Sequence, residues 1–528
     1  MGRTGPSKEA GYFLSREKRW FDNTKEGSIR RGYLALALVV GLAVLIMLGC
    51  SGSNSFSPGP VMRTQTGSVV LFGTDTPLCN VVSFEVTITS LTLTPQGGGA
   101  AVTVISSTNP VTVDFASLIG FATLLKMTDI PAGTYSQLSL TLATPQLTVL
   151  DVSTRPPTPT PLSNTTLISA SFTLDINPAL VVTAGGVTAM TLDLDLANSV
   201  RTDTHGQVTG VVAPVLQVSP TPAAADHTLG ELDSLRGVVK SVDTTSTDST
   251  FTGSFVISTR GGTGQDLTIY VNGSTLFEGV TGLSGLDVET MVDVVAQVNS
   301  NGKVLATEVH MLEPVVPSLR RAGFAGLVSW VNRDQAGNAV EFDLFNREQF
   351  PDVSTSVPRR TPIRVRILPT TRFGIAALAA NRAGLRFTPA SLGEGQHLAV
   401  VGQYDQGSVN GRIIVNARAI FLTMNAYLGN VSRVLAVGAD GKTGGFSFVP
   451  CAAVFGGQPF TALTFARTQF RGIADLNGLS TQPLTIAKGL LFFEQQPGSV
   501  NGIVWNPPPP VYVLDTKMVA QRPPAQVQ

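Results

Sequence analysis

From residue 66 onward the chain is written in short runs where apolar and polar residues take turns, as in "SFEVTITSLTLTP" (83–95), "SQLSLTLATPQLTVL" (136–150) and "TAMTLDLDL" (188–196). Side chains on a strand point to opposite faces in turn, so strict alternation predicts strands buried on one face. Clusters of Gly, Pro and Asn between the runs predict turns. "STRPPTPTPLSN" (153–164) breaks the pattern and predicts a solvated, extended loop.

Seven or more such strands between Gly67 and Pro214 predict an antiparallel β-sandwich of immunoglobulin or transthyretin type. A Pro/Ala-rich stretch, 215–234, is expected to be a linker. A second kind of order then takes over, because segments recur. The first copy, 235–313, opens with "RGVVKSVD" and closes with "VDVVAQVNSNGKVLATEVHML"; the second, 323–423, opens with "AGLVSWVN" and closes with "LAVVGQYDQGSVNGRIIVNARAIFL". A third, degraded copy fills 427–520, with a break at Pro507–Pro510 and a tail at 521–528. Thr275, Thr371 and Thr468 keep register, as do Asn-Gly pairs at 301, 410 and 501. Asn-Gly between alternating runs marks a tight hairpin. About five strands per copy predict three small OB-like β-barrels, so the fold class expected for the whole chain is all-β.

Residues 1–50 read differently. Arg30 and Arg31 precede an apolar run, Leu34–Leu48, that ends at Gly49 and Cys50. At about 15 residues the run is shorter than the roughly 20 that span a bilayer, and it fits the core of a signal peptide with a long polar lead. A small residue directly before cysteine resembles the lipobox of bacterial lipoproteins, which implies lipidation of Cys50. An uncleaved single-pass anchor and simple cleavage with secretion are the alternatives. The stretch 51–66 is small, polar and broken by Pro and Gly, which suits a flexible tether. By the same analogy, Ser51 after the cysteine implies an outer membrane where the cell has one.

Charge then narrows the partners. With 36 basic and 36 acidic residues among 528, the net charge is zero, so nucleic acid is not expected as a partner. Only Cys79 and Cys451 remain beyond Cys50; they fall in different predicted domains and are expected to be separate buried thiols. "GADGKTGG" (438–445) lacks the first glycine of a phosphate loop, which is Ala436 here, and is read as a hairpin turn. His205, His227, His310 and His397 are scattered and expected to be surface or satisfied histidines. No cofactor is implied. Asp193 and Asp195 share a strand face and, with Asp175, form a weak candidate cation site, the plainer reading being a solvated face.

The middle copy is rich in arginine and has no lysine. Planar guanidinium groups suit bidentate recognition of carboxylate or phosphate. Arg364 and Arg366, with Arg359, Arg360 and Arg372 at the margins, are therefore the candidate anion- or polymer-binding face. Docking of this basic copy onto the acid-rich first domain of the same chain is the competing explanation.

"TDTPLCNVVSFEVTITSLTLTP" (74–95), "DIPAGTYSQLSLTL" (129–142) and "LDLDLANSV" (192–200) resemble the bacterial domain of unknown function 4382. The repeat pattern resembles the bacterial domain of unknown function 5666, most closely in its first copy. The resemblances imply exported β-domains and carry no site residues. Two function classes follow: a non-catalytic, membrane-anchored envelope protein binding an anionic glycan, an envelope component or a partner protein, or an envelope hydrolase using clustered carboxylates of the first domain. The oligomeric state is left open.

Overall fold

The strand Thr66–Thr76 explains how the molecule is assembled. Its central residues are buried on both faces. Val69 and Leu71 enter one apolar cluster with Phe84, Ile88, Leu138 and Leu192. Val70 and Phe72 enter another with Leu232, Phe255 and Val294 of the first repeat. A strand covered on both sides loses the alternation of a half-buried one, which is why "SVVLFG" reads as a continuous apolar run. Each large side chain so buried contributes roughly 1.5–3 kcal/mol. Gly230 is required by this contact, since a Cβ there would lie 2.6 Å from the Phe72 ring.

The computed structural model describes residues 65–521, apart from 155–156, 225–227, 260–265, 378–383, 410 and 507–509. The signal-like segment, Cys50 and the tether as far as residue 64 lie outside these residues, as does the tail after 521, and the expected tether's last residue, Thr66, already opens the first strand. Residues 64–528 form one compact unit. The described chain is almost entirely β.

Two large sheets make the sandwich of the first domain, and Val200–Thr202, Val208–Val212 and Thr166–Leu167 make a small third sheet. One large sheet has the order Leu216–Thr221, Val187–Asp195, Thr66–Thr76, Thr123–Pro131; the other is built on the pair Val81–Pro95 and Gly133–Asp151. Strand pairing in this domain is antiparallel except that Thr66–Thr76 runs parallel to Val187–Asp195 and Thr166–Leu167 parallel to Val208–Val212. Two expectations need correction. The linker expected at 215–234 instead supplies the edge strand Leu216–Thr221, paired with Val187–Asp195, and most of it is structured. It also holds the start of the first barrel strand, Thr228–Asp243. The Pro/Thr stretch contributes a short strand, Thr158–Pro161, paired with the end of Gly133–Asp151. Proline is tolerated there because the strand lies at the sheet edge.

The three repeats share one topology. In the second, Arg321–Arg333, Ala339–Phe350, Pro362–Ala376, Arg412–Thr423 and His397–Val409 form a closed barrel in that spatial order. In chain order this is 1-2-3-5-4, with strands 3 and 5 parallel. The first repeat closes the same ring through Asp266–Val271 against Val304–Pro314, and the third through Phe460–Thr464 against Val511–Gln521. The third copy is thus complete, and its final strand lies beyond the proline-rich break. An extra hairpin, Gly498–Val500 with Ile503–Trp505, precedes that break. Its tip places Asn501 at φ 51° and Gly502 at φ 78°, the conformation that selects Asn-Gly.

The register threonines do identical work in each barrel. Thr275 Oγ1 accepts from Asn272 N at 3.0 Å and donates to Ala306 O at 2.8 Å. Thr371 accepts from Leu368 N at 2.8 Å and donates to Ala417 O at 2.7 Å. Thr468 accepts from Phe465 N at 2.9 Å and donates to Thr516 O at 2.8 Å. At the point where strand 3 bends and its ladder is interrupted, the hydroxyl satisfies one backbone donor and one acceptor that would otherwise be left unpaired.

The modules are not beads on a string. Ala453 N donates to Asn80 Oδ1 at 2.8 Å, bringing the third barrel back onto the first domain. Beside it Cys79 and Cys451 form a disulfide with Cα atoms 5.7 Å apart, across 372 residues of sequence. The expectation of two separate thiols is overturned because the first and last modules touch.

Candidate functional site

The arginine face that the sequence singles out is centred on the strand Pro362–Ala376 of the second barrel, beside its neighbour Ala339–Phe350. Arg364 and Arg366 stand opposite Asp343 and Glu341 on the neighbouring strand. Arg364 Nε donates to Asp343 Oδ1 at 2.5 Å and Nη1 to Glu341 Oε1 at 3.2 Å, with the guanidinium stacked 4.3 Å from the Trp330 ring. Arg412 adds a second cation to Asp343 at 2.8 Å. Arg359 faces Asp352 at 3.5 Å and Arg372 meets Glu313 of the first barrel at 2.7 Å. Arg360 is ion-paired with Glu85 of the sandwich. Arg366 is exposed. Four of the five candidate guanidiniums are therefore engaged by carboxylates of the protein, in place of the open anion-binding face expected. The signal was in the sequence: "EFDLF" (341–345) carries two acids with the same spacing as "RVR" (364–366).

The candidate cation site does not assemble. Asp193 and Asp195 lie on a strand of one sheet and Asp175 on a strand of the other. Asp193 accepts from Thr74 at 2.7 Å and from Thr76 at 3.4 Å. Asp195 caps a single helical turn through Asn198 N at 3.0 Å, and Asp175 accepts from Gln137 at 3.0 Å. Among the described residues no group of three or more His, Cys, Asp or Glu is arranged to hold a metal ion. The "GADGKTGG" stretch is a turn in which Asp440 accepts from Lys442 N at 3.0 Å and Thr443 N at 2.8 Å.

What the structure does bring together is a partly enclosed cavity of about 680 Å³, lined mainly by the sandwich and the first two barrels, with Asn425 from the third. Leu118, Phe121, Leu124 and Met127 of the sandwich form its apolar wall, with Leu267 and Val304 of the first barrel opposite. Arg236, Arg347, Glu348 and His397 occupy the polar part. Arg236 is placed by a bulge in Thr228–Asp243, where pairing slips between Leu232 and Leu235. That bulge turns Arg236 toward the second barrel. Its Nε donates to Asp293 at 2.9 Å and its Nη1 to Glu348 at 2.8 Å. Arg347 reaches the sandwich instead, pairing with Asp114 at 3.5 Å and donating to Val82 O.

His397 is buried beside these two cations. Thr423 Oγ1 donates to His397 O at 3.0 Å and so has a lone pair to accept from His397 Nδ1 at 2.8 Å. That fixes the proton on Nδ1. Burial, with Arg236 and Arg347 adding repulsion, holds the imidazole well below its ordinary pKa, so the ring is neutral. His310 behaves oppositely. It is buried between Glu278 and Glu308 at 3.2 and 3.1 Å; burial opposes its charge, but these carboxylates and Asp293 outweigh it and push the pKa up to about 9. His205 is exposed, and His227 lies outside the described residues.

A second buried charge cluster joins the third barrel to the rest. Asp233 of the first barrel binds Lys488 and, at 2.6 Å, Lys517. Lys488 also donates to Gly120 O at 3.2 Å and sits 4.0 Å from the Phe121 ring centre. Removing one partner of such a buried pair leaves an uncompensated charge and is strongly destabilising.

Comparison with known families agrees with the module order. The family described as "Domain of unknown function (DUF4382)" matches residues 66–209, and that described as "Domain of unknown function (DUF5666)" matches residues 236–310. The first match is the sandwich and the second is the first barrel; the other two barrels repeat its strand order. No curated protein matches the chain. The structure shows a tandem of β-modules, of which these two matches cover the first two.

Proposed function

We propose that this chain is an exported, lipid-anchored, non-catalytic protein of the bacterial cell envelope, whose β-modules form one rigid body that binds an envelope component. The observation that carries this reading is the Cys79–Cys451 disulfide. Structural disulfides persist in oxidising compartments and are rare where cellular thiols are kept reduced. A bond between the first and last modules suits a chain that folds after export. Cys50, at the end of the apolar run Leu34–Leu48, is the attachment point for the lipid. Among the described residues no helix is long and apolar enough to cross a membrane.

The non-catalytic reading is supported by the state of the sandwich carboxylates. Asp114 is held by Ser83 Oγ at 2.9 Å and Phe84 N at 2.8 Å as well as by Arg347. Asp193 and Asp195 are held by hydroxyls and backbone as described, and none of these three lines the cavity. A hydrolytic pair needs two carboxyl groups facing one substrate. The experiment that tests the reading is metabolic labelling with a fatty-acid analogue. Labelled wild type, with an unlabelled and unprocessed Cys50→Ala chain, is the expected result. Labelling that survives the substitution, or an unlabelled wild type that stays full length as a single-pass anchor would, overturns it.

A further inference from the structure

The 680 Å³ junction cavity has the size of a site for a small organic molecule. Its walls come from the sandwich and all three barrels, the third through Asn425, and their relative placement is fixed by the charge clusters and the disulfide. It is therefore preformed rather than a chance gap between mobile domains. What distinguishes it is its charge balance. The charged side chains in its lining are Arg236, Asp266, Lys303, Arg347 and Glu348. Each already has a counter-charge from the protein: Arg236 with Asp293 and Glu348, Asp266 with Lys240 at 2.8 Å, Lys303 with Asp248 at 3.1 Å, and Arg347 with Asp114. Lys303 is further screened by the rings of Phe251 and Tyr270, each 4.6 Å away. His397 adds a neutral imidazole.

An ionic ligand would give up its water here and find each cation and anion already paired. An uncharged one loses nothing on that account. The apolar wall of Leu118, Phe121, Leu124 and Met127 meets the hydroxyls of Thr112, Ser117, Ser234 and Thr268 in the same lining, so one side of an occupant is covered by hydrocarbon and the other by hydrogen-bonding groups.

We propose that the junction cavity binds one uncharged, amphipathic small molecule per chain. The proposal deepens the reading of the protein as an envelope binder and rests on it. A pair of probes that share one aromatic framework and differ in a sulfonate tests it: neutral N-phenyl-1-naphthylamine and anionic 1-anilinonaphthalene-8-sulfonate. Each is titrated by fluorescence against the purified full chain. Thr268 is exposed on a barrel strand in the cavity lining, so Thr268→Trp places an indole in the cavity, taking up part of its volume, without disturbing a core. Asn109→Trp does the same from the sandwich side.

Saturable binding of one neutral probe per chain is expected, about tenfold or more tighter than the anionic probe because an unpaired sulfonate must be desolvated. Both tryptophan variants should lose it while melting as the wild type does; if one fails to fold, the other carries the test. No saturable binding, an anionic probe bound as tightly as the neutral one, or neutral binding unchanged in a folded tryptophan variant each overturns the proposal. None of these results touches Cys50 labelling or the disulfide, so failure here is distinguishable from failure of the functional reading.

Discussion

Arg236 of the first barrel and Glu348 of the second are ion-paired at 2.8 Å, with the arginine side chain only 7% exposed. The pair locks two modules that sequence alone presents as separate repeats. Around it the sandwich contributes Asp114 to Arg347, and the third barrel contributes Lys488 and Lys517 to Asp233. The molecule is held together by a chain of charges running between modules, laid over apolar clusters that themselves cross module boundaries.

Glu348→Gln keeps the shape of the side chain and removes its charge, leaving Arg236 with Asp293 alone. Breaking one side of a buried pair costs about 3–5 kcal/mol at most, and less here because Asp293 remains. Urea unfolding should show a lower midpoint with an unchanged slope. A midpoint equal to wild type would mean the pair does not hold the barrels together.

Thr468→Val should cost about 1–3 kcal/mol, because it strands a buried backbone donor at Phe465 and an acceptor at Thr516. Thr468→Ser keeps the hydroxyl and should recover most of the loss. Thermal denaturation of the two variants checks the structural role of the register mark. A valine variant as stable as the wild type would mean that the two hydrogen bonds of Thr468 contribute nothing.

Asp75 gives a pH dependence with a definite sign. Its side chain is buried, Oδ1 accepts from Leu196 N at 3.3 Å, and Oδ2 has no hydrogen-bond partner among the described residues. Burial pushes the carboxyl up to about 9 from 3.8; the Leu196 N–H pulls it down, and Asp193 and Asp114 add repulsion. Between those values the folded protein holds a proton that the unfolded chain has lost, so this group lowers stability as pH rises from about 4 to about 9. Asp75→Asn removes the penalty. It should raise stability by a few kcal/mol at pH 8 and leave it nearly unchanged at pH 3, read by unfolding at the two pH values. A variant less stable at pH 8 would contradict the neutral state of Asp75.

The strands were legible because alternation is a local property: Thr87–Leu93 and Leu138–Leu142 carry it without reference to anything distant. Repeats were legible for the same reason, and Thr275, Thr371 and Thr468 marked a feature whose chemistry lies within each barrel. What crosses between modules was not legible. Leu216–Thr221 looks like a linker because its proline and small residues say nothing of the edge it fills. Cys79 and Cys451 could not be paired without knowing that the chain turns back on itself. The arginines were rightly singled out as unusual, but their partners Glu85, Glu313 and Asp352 lie on other elements. The cavity itself is assembled from all four modules and leaves no mark on any single segment.

The Cys79–Cys451 bond bears most directly on the claim that four modules close into one exported body. Loop-closure entropy makes a bond across so long a stretch of chain worth roughly 4–6 kcal/mol. The measurement is alkylation of the unreduced, denatured protein taken from the envelope, followed by proteolysis and mass spectrometry. The account predicts a cross-linked peptide pair containing Cys79 and Cys451, with neither cysteine alkylated until reductant is added. Alkylation of both cysteines in the unreduced sample would contradict it.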